Sequence, residues 1–225
     1  MAWAWGASRI IDALELCPET KINPKRIATQ GCSRDGKGSL VCGLFDDRIA
    51  LPMSISSGSG GASCWRVAET QGNVQKAGEI YGENTWMGDN FQPFGNAVNK
   101  LPIDQHEVVA IAAPRPVLIE EGLGDSWGCP ICCYHTAKYA QMVYGALGYG
   151  DYLGFGQVDH GHCAEGSNAM QKQYFQAFCD RFLLDKTSID TKLFSESFTF
   201  DKAKWQDGEL PALEGDLPPA TLSKE

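Results

Sequence analysis

The chain has 225 residues, 43% of them hydrophobic and 10% aromatic, and a formal net charge of −9. A chain of this length can bury roughly 70% of its unfolded surface in one core. The acidic balance excludes a nucleic-acid surface, which needs clustered Lys and Arg. No uninterrupted apolar run of about 18 residues is present to span a membrane.

Apolar side chains at helical spacing (Trp3, Ile10, Ile11, Leu14) predict a helix over residues 1–16. After Asn-Pro-Lys-Arg comes a short β-like run, R-I-A-T-Q-G-C-S, ending in a glycine-flanked Ser33. A helix is predicted from Ser33 through Leu44 and Phe45. The run R-I-A-L-P-M-S-I reads as a second apolar strand, ending in small residues from Ser56 to Ser63. Residues 64–105 read as loops and short helices rich in Gly, Asn and Trp. A third strand is predicted in A-I-A-A-P-R-P-V-L-I-E-E, an amphipathic helix at 133–147, a fourth strand at 152–158 and a last helix at 171–184. From residue 187 the pattern fades into a polar, Pro-containing tail, expected to be poorly ordered. The domain is thus expected over 1–186 and the tail over 187–225.

Strands alternating with helices predict an α/β fold with a mostly parallel sheet covered by helices. In an α/β-hydrolase several strands precede the nucleophile, whereas here the Ser-bearing strand is the first. The expectation is the C-terminal part of such a sheet, with its first strands absent from this chain.

Nine cysteines point to an oxidising compartment, and the odd count leaves at least one unpaired. The M-A-W-A-W-G start has neither a basic segment nor a long apolar run, so it is not a secretory signal. Further sequence upstream of Met1 would reconcile the two.

The strongest chemical signal is Gly31-Cys32-Ser33-Arg34-Asp35-Gly36-Lys37. Strand, sharp turn and helix start meet at one Ser, which lifts its hydroxyl out of the sheet edge beside backbone N–H groups and the helix dipole. Such donors can hold the oxyanion formed when an ester carbonyl is attacked. In the usual G-x-S-x-G elbow the second Gly falls one position earlier than Gly36. Asp35 is therefore expected to take the left-handed backbone position. The competing reading is a serine that only caps the helix.

A serine nucleophile needs a base. His162 follows the last strand, where the Ser…acid…His order of this fold puts it, and His160 is its competitor. His106 and His135 read as structural. The orienting carboxylate is expected at Asp125, in the Gly-rich loop after the third strand. Glu120 and Glu121 stand just before it, and a plain turn residue is the alternative for Asp125. Cys129-x-x-Cys132-Cys133-x-His135 has the look of a metal half-site, but no second cluster completes four ligands.

The blocks W-A-W-G-x-S-R-I-I-D-A-L-E, G-C-S-R-x-G-K-G, S-G-S-G-G-A-S-C-W-R, Y-G-E-N-x-W and a His-Cys pair occur in that order. Over roughly residues 1–184 the chain resembles the fungal glucuronoyl esterases, carbohydrate esterase family 15. The resemblance implies a secreted, monomeric α/β-hydrolase that needs no metal or other cofactor. Its implied substrate is the ester between the 4-O-methyl-glucuronic acid of glucuronoxylan and lignin alcohols, with no nucleic-acid or membrane partner. It implies Ser33 as nucleophile, Arg34 as oxyanion stabiliser and His162 as base, with His160 non-catalytic. Lys37, Gln75, Glu83 and Trp127 match positions that hold the sugar and line its pocket. Cys32 and Cys163 match a disulfide beside the nucleophile and the base. Cys64 matches half of a second bridge, its partner among Cys129, Cys132 and Cys133.

Two departures bear on the chemistry. Family members extend further at the N-terminus. They also carry the triad Glu where this chain has Ser56, and Ser cannot carry the charge that steadies an imidazolium. Some bacterial relatives place the acid on the later loop, which again indicates Asp125. Three readings follow: a glucuronoyl esterase, a catalytically impaired glucuronoxylan binder, and an esterase for other plant-wall esters.

Overall fold

The run Ile49–Ile55 is apolar without alternation, as expected of a strand buried on both faces of a parallel sheet. In the computed structural model, which describes residues 1–83, 86–163, 168–206 and 212–215, this run is β2 of a four-stranded sheet. Its companions are β1 (Ile27–Cys32), β3 (Val117–Gly122) and β4 (Leu153–Val158). All pairings are parallel and the spatial order is β1-β2-β3-β4. The α/β-hydrolase expectation for the sheet holds.

Each crossover carries a helix. Helix α2 (Arg34–Phe45) links β1 to β2, and α6 (Pro130–Ala146) links β3 to β4. Between β2 and β3 lie α3 (Trp65–Ala68), α4 (Ala77–Gly82) and α5 (Gln105–Ala110). Helix α1 (Ala2–Leu16) lies on α2, burying Ala4 and Ile11 with Cys42 and Ile49. Strand alternation divides β3: Val117 and Ile119 join Leu40, Val109, Tyr134 and Phe155 under α2, α5 and α6. Leu118 faces the other way, onto Phe178 of α7 (Ala169–Phe178) and Phe182 beyond it.

The third strand begins at Val117 rather than at residue 110. Ala110 instead ends α5, which Asp104 starts, its carboxylate accepting from the Gln105 N–H in a capping box with Glu107, and a turn segment leads from there to Val117.

The C-terminal expectation is corrected for residues 187–206. The backbone at 193–195 runs along the outer edge of β4: Phe155 N–H donates to Leu193 O (2.9 Å) and Ser195 N–H to Phe155 O (2.8 Å). Phe194, Phe198 and Phe200 pack on the main core, and Thr191 is fully buried. A short α8 (Lys202–Trp205) brings Trp205 against His135. Scattered aromatics without strand or helix period look like a tail in sequence, yet each carries a large apolar area to bury. Residues 207–211 and 216–225 of the expected tail lie outside the described residues.

Candidate active site

At the C-terminal end of β1 the chain turns sharply. Ser33 has φ 58° and ψ −122°, a left-handed backbone for a non-glycine residue. Its N–H donates to Ile55 O (2.9 Å), which ties the turn to the end of β2. The strained residue is therefore Ser33 itself and not Asp35, which is an ordinary helical residue of α2. The spacing to the second glycine follows from close approach. A Cβ on Gly36 would lie 2.8 Å from Ile55 O, and one on Gly31 would lie 2.3 Å from the Asp35 backbone. Ser33 occupies the N-cap position, but its side chain makes no capping bond, against the reading of a mere helix cap. Arg34 is the first residue of α2, so its N–H has no intrahelical acceptor.

His162 and Asp125 come from neighbouring loops that are laced together. Leu123 N–H donates to Val158 O (2.8 Å) and Gly124 N–H to His160 O (2.9 Å). The laced loops bring Asp125 Oδ2 to 2.7 Å from His162 Nδ1. Asp125 Oδ1 accepts from the Gly128 N–H at 3.1 Å, so Asp125 is a turn residue and the partner of the histidine at once. His160 turns away, with Nδ1 against Gly161 O (2.5 Å).

The disulfide Cys32–Cys163 is present, with Cα atoms 5.8 Å apart and a separation of 131 positions in sequence. It joins the residue before Ser33 to the residue after His162. The second bridge differs from expectation. Cys129 pairs with Cys132 across the first turn of α6, while the buried Cys64 donates its thiol to Asp104 Oδ2 (3.2 Å). The CxxC cysteines are thus joined to each other, and the metal half-site read in sequence does not form. His106 packs on Tyr139 and His135 on Phe200, as structural histidines do.

Ser33 and His162 line one cleft of about 170 Å³, together with Arg34, Lys37, Ser56, Gln75, Glu83, Trp86 and Trp127. Every sequence-predicted site residue therefore lines this cleft or, as Asp125, bonds to a residue that does. Lys37, one turn along α2, donates from Nζ to Ser57 O (2.6 Å). Burial pushes its ammonium below the ordinary value, opposed by Glu83 and Glu121. Gln75 Nε2 donates to Glu83 Oε1 (2.7 Å), and Trp86 Nε1 to Glu83 Oε2 (2.5 Å). Gln75 N–H also holds the Trp127 carbonyl at 2.9 Å, which fixes the loop that presents the half-exposed Trp127 ring. Ser56 lines the cleft with a buried hydroxyl and a φ of 42°.

Trp86 was not singled out in sequence, although it closes the Y-G-E-N-x-W block. It binds Glu83 and carries the Arg34 guanidinium over its ring at 5.8 Å. Its spacing from Glu83 was the available signal.

A parallel sheet, a Ser-bearing strand–turn–helix at its C-terminal edge and a His–Asp pair on the adjoining loops define an α/β-hydrolase architecture. The family model described as fungal glucuronyl esterase matches residues 1–148. The chain belongs to that family. It is 44% identical over 209 residues to 4-O-methyl-glucuronoyl methylesterase 1 of Wolfiporia cocos, covering 91% of this chain and 51% of the relative. The corresponding enzyme of Hypocrea jecorina is 41% identical, covering 94% and 46%. Among solved structures, the glucuronoyl esterase catalytic domain from Hypocrea jecorina superposes with a TM-score of 0.88 at 39% identity, over 95% of this chain and 59% of that one. A glucuronoyl esterase mutant from Sporotrichum thermophile, in complex with methyl 4-O-methyl-beta-D-glucopyranuronate, gives 0.84 at 34% identity, over 91% and 56%. The chain spans about half the length of the curated relatives it matches.

Proposed function

We propose that this chain carries the catalytic groups of a serine esterase for esters of 4-O-methyl-glucuronic acid, such as those joining glucuronoxylan to lignin alcohols. The observation that carries the reading is the 2.7 Å contact of His162 Nδ1 with Asp125, on a histidine sharing its cleft with the strained Ser33. Held by Nδ1, the imidazole offers Nε2 to take the Ser33 proton as Oγ attacks the ester carbonyl. The Arg34 N–H and guanidinium and the start of α2 are the donors for the oxyanion. The alcohol leaves with the proton from His162, and a water activated the same way releases the acid and regenerates Ser33. Lys37, Gln75 and Glu83 offer polar contacts to sugar hydroxyls, and Trp127 an apolar plane for the ring. No step calls for a metal. An extracellular monomer fits the disulfides and the family, and no helix among the described residues is long and apolar enough to cross a membrane.

A second reading, a glucuronoxylan binder without turnover, draws on Ser56 standing where fungal members carry the acid. The two separate in one experiment: assay of methyl and benzyl glucuronate esters and of an acetyl ester, with fluorophosphonate labelling of Ser33. Glucuronate-ester turnover with labelling is the expected result. Sugar binding without labelling would favour the binder, and turnover of acetyl esters alone would favour a different plant-wall esterase.

A further inference from the structure

Glu121 is the penultimate residue of β3, and only 1% of it reaches solvent. It follows the alternation of Val117 and Ile119, so it points to the α2 and α6 side, while Glu120 points with Leu118 toward α7. A carboxyl buried this deeply is costly unless its oxygens are used. Oε1 accepts from the Ser57 N–H at 3.4 Å. The Ser57 carbonyl in turn accepts from Lys37 Nζ at 2.6 Å. A chain of contacts therefore runs from Glu121 through the Ser57 backbone to the ammonium in the cleft. The charged groups acting on Glu121 are Asp125 and Lys37.

The nucleophile and base are held by other means. Ser33 is tied to Ile55 O and, through Cys32, to Cys163. Asp125 is tied to the Gly128 N–H. None of these contacts passes through Glu121.

We infer that Glu121 is a positioning residue for sugar recognition: it anchors the Ser57 backbone and thereby sets where the Lys37 ammonium stands. The inference rests on the glucuronate-ester reading of the cleft. Loss of the acceptor frees the Ser57 loop and lets Lys37 drift, which weakens binding of the sugar ester while leaving attack on a small ester intact. Glutamine keeps an acceptor oxygen for the Ser57 N–H and leaves recognition in place.

The test is steady-state kinetics with methyl 4-O-methyl-glucopyranuronate and with 4-nitrophenyl acetate. Glu121→Met keeps the length of the side chain and removes its oxygens. It is expected to raise KM for the glucuronate ester about tenfold, the scale of one lost hydrogen bond, with kcat little changed. Activity on 4-nitrophenyl acetate stays at the parent level. Glu121→Gln is expected to return KM to the parent value. In a Lys37→Met background, Glu121→Met adds no further KM change, because both act on one contact. The inference is overturned by an unmoved KM in Glu121→Met, by equal losses on both esters, or by failure of Glu121→Gln to restore KM. Should Glu121→Met not fold, Glu121→Leu takes its place and the Gln variant still decides. A parent enzyme that cleaves the acetate and not the glucuronate ester removes the substrate reading itself, which is a different failure.

Discussion

The two sides of β3 and its C-terminal rim are built from opposite materials. Below, Val117, Leu118 and Ile119 are fully buried among Leu40, Tyr134, Phe155 and Phe178, with no ionisable carboxyl or ammonium among them. Above, at the C-terminal ends of the strands and on α2, stand two buried glutamates, Asp125, Lys37 and the left-handed Ser33 and Ser56. The floor has the composition that stabilises a fold. The rim carries desolvated charge and strained backbone, which lower stability and persist where the surrounding structure holds them. The proposed chemistry is concentrated where the fold bears that cost.

That contrast can be broken from either side. Ser33→Ala should lower ester turnover by about 10⁶-fold, the scale seen when a serine nucleophile is removed, with thermal stability unchanged. A fall in Tm would mean that the strained turn is structural. Removing the Cys32–Cys163 bond by a double Cys→Ala change should strike both properties, because the bond couples rim to rim across 131 residues. In the chain-entropy model a loop of that length is worth about 4–5 kcal/mol, or a Tm loss of roughly 10–15 °C. Differential scanning calorimetry measures it. Phe155→Ala, in the floor, should cost about 3–5 kcal/mol in denaturant unfolding, with kcat per folded molecule intact.

The last expected effect is on pH. Burial pushes Glu120 and Glu121 up to about 8 from an ordinary carboxylate value of 4.5. Between those values the folded state holds protons that the unfolded state has released. Their stabilisation is therefore present below about pH 4.5 and is lost as pH rises through about 8. Tm should fall between pH 5 and pH 8.5, and Glu121→Gln should flatten that slope. A Tm that rises over this interval would contradict the assignment.

Much of this was legible in sequence. β2 and β3 announce themselves as unbroken apolar runs, and Gly31, Ser33 and Gly36 mark a turn that only small residues can make. The order of Ser33, Asp125 and His162 along the chain pointed to the residues that the structure gathers, His162 against Asp125 at 2.7 Å and sharing a cleft with Ser33. What failed was long-range. Residues 187–206 dock through Phe194, Phe198 and Phe200, whose spacing follows no local period. The pairing of Cys129 with Cys132 depends on where α6 starts, and the resemblance pointed to Cys64 instead. The left-handed residue was assigned to Asp35 from the shifted glycine, whereas the close approach of Ile55 O to Gly36 accounts for that glycine directly. The anchoring role of Glu121 required knowing which way β3 turns its side chains.

In the proposed triad Asp125 supplies the charge that Ser56 cannot. Asp125→Asn keeps the side-chain shape and an oxygen for the Gly128 N–H, so folding should survive. Assayed on methyl 4-O-methyl-glucopyranuronate, it should lose about 10⁴ in kcat, the scale of losing the third member of a serine triad. Turnover at the parent rate would show that His162 works without Asp125 and that the acid lies elsewhere.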